Sequence, residues 1–341
     1  MATTDLCGFD DARAAAAAAV RLAPVVAGQV AQDGRRIVVI GAGGWIGQSV
    51  LEMLHAALGP AAFRERVVCF GSSARTLRLT NGAGIEQAPL ADLSALPPQR
   101  SMVLHLAFLT KDKVAGMAEA EYVAANRRIS DTVFNRLDHI GTDRIFIASS
   151  GAAAFADDVD AAADLRLYGQ LKRDDEERFA AWALVAEGRA AAIGRLYAVS
   201  GPFINKPQTY ALADLILSVL AGHPAEVRAP MPVYRSYVAV REVVSFVMAH
   251  LLQQSAPPVI RFDTGGEPLE LGMLAHAIES VLGGQAVRRP PVDAAPNRYL
   301  GDHARWQRLL AEHQLSHLPI EQQIAETAAW LKATAALGDG A

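Results

Sequence analysis

The stretch that most constrains this chain is Arg36 to Gly47. Arg36-Ile37-Val38-Val39-Ile40 is a short, mostly β-branched run that stops at Gly41-Ala42-Gly43-Gly44-Trp45-Ile46-Gly47. A parallel strand covered on both faces reads as such an uninterrupted apolar run. Gly41 permits a tight strand-to-helix turn, Gly44 lets the backbone approach a pyrophosphate, and Gly47 lets the next helix pack closely. Trp45 and Ile46 open that helix, where unpaired N–H groups are available to phosphates. The turn therefore predicts a dinucleotide site built on Gly41, Gly44, Trp45, Ile46 and Gly47.

Downstream, short apolar strands alternate with longer helices. Strands are expected at 67–70, 84–90, 102–106, 144–148 and 191–197, with helices at 45–58, 118–137 and 171–186. That alternation implies right-handed βαβ units and a Rossmann-like, doubly wound parallel sheet of the α/β class. After Pro202 the rhythm weakens. Helices are expected at 212–220, 241–252, 271–282, 302–310 and 320–331, with one short strand at 259–262. The expected organisation is an Ala-rich helical extension over 1–34, an NAD(P)-binding Rossmann domain over 35–203, and a smaller α/β substrate-binding region over 204–335. Some elements of that last region should return to the main sheet. The extension itself is expected as a helix from about Asp10 to Val30.

Composition excludes several classes. The 341 residues carry a formal net charge of -4 and no long basic run, so nucleic acid is not an expected partner. Cys7 and Cys69 cannot form a disulfide framework. The apolar stretch Ala14 to Val20 is too short to span a membrane and follows acidic residues where a signal peptide carries basic ones. A cytoplasmic location is the expected default. His313 and His317 share a helical spacing, but no Cys, Asp or Glu completes a metal motif with them, so no metal is expected. The charges from Arg173 to Arg178 read as a solvated helix face.

The end of the second strand carries the cofactor choice. A carboxylate there would hold a ribose diol, but this chain has Gly71-Ser72-Ser73-Ala74-Arg75. Ser72, Ser73 and the Arg75 guanidinium suit a 2′-phosphate, which points to NADP, with NAD as the alternative. Further on, Tyr168 and Lys172 lie four apart, on one face of a helix. An ammonium beside a phenol favours the phenolate and lowers its pKa. Ser150 ends the strand Ile147-Ala148-Ser149-Ser150, where its hydroxyl can orient a carbonyl while Tyr168 passes a proton.

With these residues in view, the chain resembles the extended short-chain dehydrogenase/reductases of the NAD-dependent epimerase/dehydratase type, from about Arg36 to Leu331. The resemblance implies that Ser150, Tyr168 and Lys172 are catalytic, with Tyr168 and Lys172 also meeting the cofactor. It implies Asp92 and Leu93 at the adenine, Leu106 and Ala107 beneath the cofactor after His105, and Asn126 supporting the site. Gly201-Pro202 matches the segment near the nicotinamide end. Arg235, in Arg235-Ser236-Tyr237-Val238, is similar to the arginine that grips a substrate diphosphate in nucleotide-sugar members. A homodimer through the helices flanking the catalytic strand is also implied.

Departures narrow the subclass. Sugar dehydratases of this type carry an Asp-Glu pair after the catalytic hydroxyl, whereas Ser150 is followed by Gly151, Ala152, Ala153 and Ala154. Ala198 stands where an asparagine usually meets substrate phosphates, and Arg241-Glu242 displaces the usual acid. The expected function is reduction of a keto group with NADPH, on a nucleotide-linked 4-keto sugar. The alternatives are an NAD-dependent nucleotide-sugar epimerase, a reductase of non-sugar ketones or aldehydes, and a cofactor-sensing regulatory protein.

Overall fold

The computed structural model describes residues 19–255 and 257–338. The first part of the expected Ala-rich helix lies outside the described residues. Inside them the chain is irregular as far as Ala23, and α1 (Pro24–Gln32) begins at a proline, which suits a helix N-terminus. Its buried face, Val26 and Val30, docks on the body.

The glycine turn joins β1 (Arg36–Ile40) to α2 (Trp45–Arg66). The sequence suggests that this helix stops at Leu58. Instead Gly59, at φ 72°, breaks it, and Pro60 starts a second arm running to Arg66. After β2 (Val67–Gly71) the chain makes an antiparallel hairpin, β3 (Arg75–Arg78) and β4 (Gly84–Pro89), in place of a second crossover helix. The remaining elements of this half are β5 (Ser101–His105), α3 (Glu119–Phe134), β6 (Thr142–Ser150), α4 (Ala163–Val185) and β7 (Ala190–Leu196). Helix α4 starts eight residues before the expected Leu171, so Tyr168 and Lys172 both lie well inside it.

Beyond these lie β8 (Ala198–Ser200), α5 (Ala211–Leu220), β9 (Val233–Ala239), α6 (Val240–Leu252), β10 (Val259–Asp263) and β11 (Pro268–Glu270). The chain then forms α7 (Leu271–Leu282), β12 (Asn297–Tyr299), α8 (His303–Glu312) and α9 (Ile320–Gly338). The main sheet has the order β10-β7-β6-β5-β1-β2-β4-β3, parallel throughout except for β3. It is the expected doubly wound α/β architecture. A small second sheet has β9 at its centre, paired with β8, β11 and β12.

Two apolar layers sandwich the main sheet. One packs Val38, Ile40, Val103 and Ile147 against Val133 of α3 and Phe179 and Trp182 of α4. The other packs Val39, Met102 and Phe146 against α1, α2 and α6 and continues into Leu274 and Trp306 of the later helices. His313 and His317 part company here. His313 packs edge-on to Phe246 and His250, whereas His317 hydrogen-bonds Glu242. Among the described residues no helix is long and apolar enough to cross a membrane.

Candidate active site

The glycine turn sits at the C-terminal edge of the parallel strands, between β1 and β5. Gly41 has φ 88°, and a methyl group on it would come within 2.8 Å of the Ala107 amide. A methyl on Gly47 would strike the carbonyls of Gly41 and Ala42. Leu106 and Ala107 therefore run directly under the turn, and Leu106 N–H donates to Ile40 at 2.8 Å. The helix behind it has no side-chain cap at Gly44. That glycine cradle, with an uncapped helix start, fits a dinucleotide pyrophosphate.

Trp45 points the other way. It is buried, donates from its indole to the Pro202 carbonyl at 2.7 Å, and meets Tyr210 edge-on at 5.3 Å. Any part it takes at a cofactor falls to its backbone, while its side chain ties the turn to the segment after Gly201. Ile46 is partly buried in the same layer.

At the far end of the cradle, Ser72 and Ser73 are exposed beyond β2 and Arg75 opens β3. The Arg75 guanidinium lies over the turn, where a methyl on Gly43 would run into it. Asp92 is exposed in the 3-10 turn Leu90–Ala95, close to the end of β2. The neighbouring Leu93 departs from expectation: its side chain is wholly buried between the sheet and α3, because that turn uses it as a core anchor. Only its backbone is left to meet a ligand.

Ser150, Tyr168 and Lys172 come together where β6 ends beneath α4. Ser150 Oγ accepts from Ala152 N–H at 3.2 Å and lies 3.2 Å from the hydroxyl of Tyr299. Lys172 is buried; its amine donates to the Ala148 carbonyl at 2.7 Å and sits 3.7 Å from the centre of the Phe108 ring. The Tyr168 ring centre is 5.8 Å from the same amine. Burial pushes the Lys172 amine down to about 8, against the pull of Asp175 and Glu176. The Tyr168 phenol is held above its ordinary value, first by burial and then by Tyr299, while hydrogen bonding to Ser150 opposes the shift. Loss of water at this site thus favours the neutral phenol.

Neighbouring groups fix this cluster. Asn126 is buried in α3; its side-chain oxygen accepts from Leu109 N–H at 2.8 Å, and Tyr122 donates to the Leu109 carbonyl at 2.6 Å. Glu176, one turn beyond Lys172, receives both Arg195 (2.7 Å) and the Ser149 hydroxyl, so α4 is bolted to β6 and β7. Past Leu109, Lys111 pairs with Asp164 of α4 at 3.1 Å, and Asp112 pairs with Lys206 at 2.6 Å. The segment 109–113 therefore straps α4 to the loop beyond Pro202.

Arg235 lies on β9, donating to the Tyr234 carbonyl and the Asn297 side chain, each at 2.8 Å. It reaches the cluster through Tyr299, whose ring centre is 5.8 Å from its guanidinium. Tyr299 is the residue that the linear pattern misses. It belongs to the three-residue β12, stacks on Phe155 at 5.8 Å and leans on Tyr197 at 4.8 Å. Nothing local marks it, because its partners are brought by pairing of β12 with β9.

A model of the NAD dependent epimerase/dehydratase family matches residues 37–261. Among curated proteins none matches. Solved structures do. MoeE5 in complex with UDP-glucose and NAD superposes with a TM-score of 0.64 at 18% identity, over 88% of this chain and 99% of that one. The epimerase Mth375 of Methanothermobacter thermautotrophicus gives 0.68 at 15% identity, over 92% and 97%. The UDP-glucose 4-epimerase of Thermotoga maritima with UDP-glucose gives 0.65 at 16% identity, over 88% and 99%.

Proposed function

The chain belongs to the NAD dependent epimerase/dehydratase family, and from that premise we propose that it is an NADP(H)-dependent oxidoreductase that reduces a keto group on a nucleotide-linked sugar. The observation that carries the cofactor choice is Arg75. Its guanidinium overhangs the glycine turn, Ser72 and Ser73 lie beside it, and no carboxylate closes β2. A 2′-phosphate suits that corner, because guanidinium matches phosphate geometry and a diol gains nothing from it. The turn from Gly41 to Gly47, Leu106, Ala107, Asp92 and the Leu93 backbone would hold the rest of the dinucleotide.

When bound, the nicotinamide supplies the hydride. The chain supplies position and protons. Ser150 orients the carbonyl oxygen and Tyr168 gives it a proton. Burial favours the protonated phenol, the form a proton donor needs. Lys172 sets the charge beside that phenol. Gly151 to Ala154 place no carboxylate after Ser150, which leaves elimination of water without a local acid. Arg235, at the Tyr299 ring, is the group for a substrate diphosphate, and the solved relatives carrying UDP-glucose support a ligand of that class. We place a homodimer contact on the outer faces of α3 and α4, and the enzyme in the cytoplasm.

The test is direct. Protein freed of copurified nucleotide is given a UDP-linked 4-keto sugar with NADPH or NADH, and loss of nicotinamide absorbance is followed. Net oxidation with NADPH preferred is the expected result. The epimerase reading takes its support from the named relatives. Under it NAD copurifies and the sugar is interconverted with no net oxidation, which would overturn the reductase.

A further inference from the structure

The Lys172 amine is held from two sides. The amine donates a hydrogen bond to the Ala148 carbonyl at 2.7 Å, and the face of Phe108 covers it at 3.7 Å. The same ring meets Tyr168 edge-on at 5.6 Å, so one side chain touches both members of the pair. Phe108 has little freedom, since both backbone groups of the next residue, Leu109, are pinned by Asn126 and Tyr122 from α3. A cation over an aromatic face gains most where water is excluded.

We propose that Phe108 is a positioning residue: its π face keeps the Lys172 amine charged and seated beside Tyr168, and Asn126 and Tyr122 hold that face in place through Leu109. The catalytic meaning rests on the reading of Tyr168 and Lys172 given above; the contact itself does not.

Two opposed effects meet at the amine. Burial drives it toward the neutral form, while Asp175 and Glu176 on its own helix favour the charge. From β5, His105 faces it as a neutral ring, held down to about 3 by burial and by Lys172 itself. From α4, Tyr168 faces it as a protonated phenol. The aromatic face of Phe108 adds to the side that favours charge. Bulk and π character can therefore be separated by substitution. Methionine at 108 keeps an apolar bulk and removes the face, whereas tryptophan keeps the face. A cavity of about 220 Å³ that Phe108 lines together with Ser130, Asp131, Leu171 and Arg178 gives the larger ring room.

The experiment follows the lysine titrations by NMR of protein labelled at lysine Cε, without cofactor, with Lys172→Arg assigning the signal. In Phe108→Met the Lys172 midpoint is expected to move toward acid by about one pH unit. In Phe108→Trp it is expected to stay at the wild-type value. The alkaline limb of the turnover profile should move with the midpoint in Phe108→Met. An unmoved midpoint in Phe108→Met, or a Phe108→Trp protein that titrates like Phe108→Met, overturns the proposal. If Phe108→Met does not fold, Phe108→Leu replaces it. Retained turnover in Tyr168→Phe would remove the catalytic reading alone, and the contrast between Met and Trp would still decide the role of Phe108.

Discussion

The hydroxyls of Ser150 and Tyr299 lie 3.2 Å apart although 149 residues separate them in the chain. The contact joins the end of β6 to the small sheet, so the Ser-Tyr-Lys cluster is completed by the far end of the protein. Tyr299→Phe keeps the ring that stacks on Phe155 and removes one hydroxyl. A net hydrogen bond of about 1 kcal/mol corresponds to roughly a five-fold fall in kcat/KM. Steady-state kinetics should show that loss with the thermal midpoint nearly unchanged; a rate equal to wild type would mean that Ser150 orients substrate without Tyr299.

Arg75 should discriminate between cofactors. Arg75→Ala removes a charge-assisted contact of about 1.5–3 kcal/mol, so NADPH should bind roughly ten- to a hundred-fold more weakly. NADH binding should change little. Fluorescence titration of the two nucleotides checks this, and equal weakening of both would take Arg75 away from the 2′-phosphate.

Trp45 is a structural strut. Trp45→Phe keeps a ring against Tyr210 but leaves the Pro202 carbonyl without the indole donor, with only a distant Ser49 hydroxyl at 3.5 Å. An under-satisfied buried carbonyl costs about 1–3 kcal/mol. Denaturant unfolding should show a loss of that order, together with weaker cofactor binding because the turn loses its tie.

His250, like the buried His105, should contribute to acid lability. Burial, then His313 and Arg144, push its ring down to about 4, and its Nε2 has no partner. Its folded value lies below the unfolded one, near 6.5, so the unfolded state binds more protons between those limits. The stability associated with the neutral ring is complete above about pH 6.5 and is lost as the pH falls toward 4. His250→Phe, beside Phe246, should shift the acid unfolding midpoint downward, as followed by circular dichroism. An unchanged midpoint would assign acid unfolding to other groups.

What could be read from the linear chain was local. The strand Arg36–Ile40, the glycine turn and the Tyr168–Lys172 spacing are decided by residues within one turn of each other, and they sit where the pattern puts them. What depends on distant partners was hidden. That the Leu93 side chain serves as an anchor against α3, leaving only its backbone for a ligand, shows only once its turn is seen packed. Tyr299 has no local mark, since β12 exists only because β9 is there to pair with it. The burial that raises the Tyr168 pKa is likewise set by distant packing and does not show in the Tyr168–Lys172 spacing. Phe108, next to the expected Ala107, was visible as a residue but not as a lid on the amine.

The return of β10 to the outer edge of the main sheet, after the chain has already left for β8 and β9, has a mechanical consequence. The two sheets are stitched by more than one crossing, and α9 holds the segment around Ser200 through Gln323 and Thr327. A protease cut between Pro202 and Tyr210 should leave both fragments bound under native conditions. The two sheets are thus tied as a woven unit rather than as two bodies on a single linker.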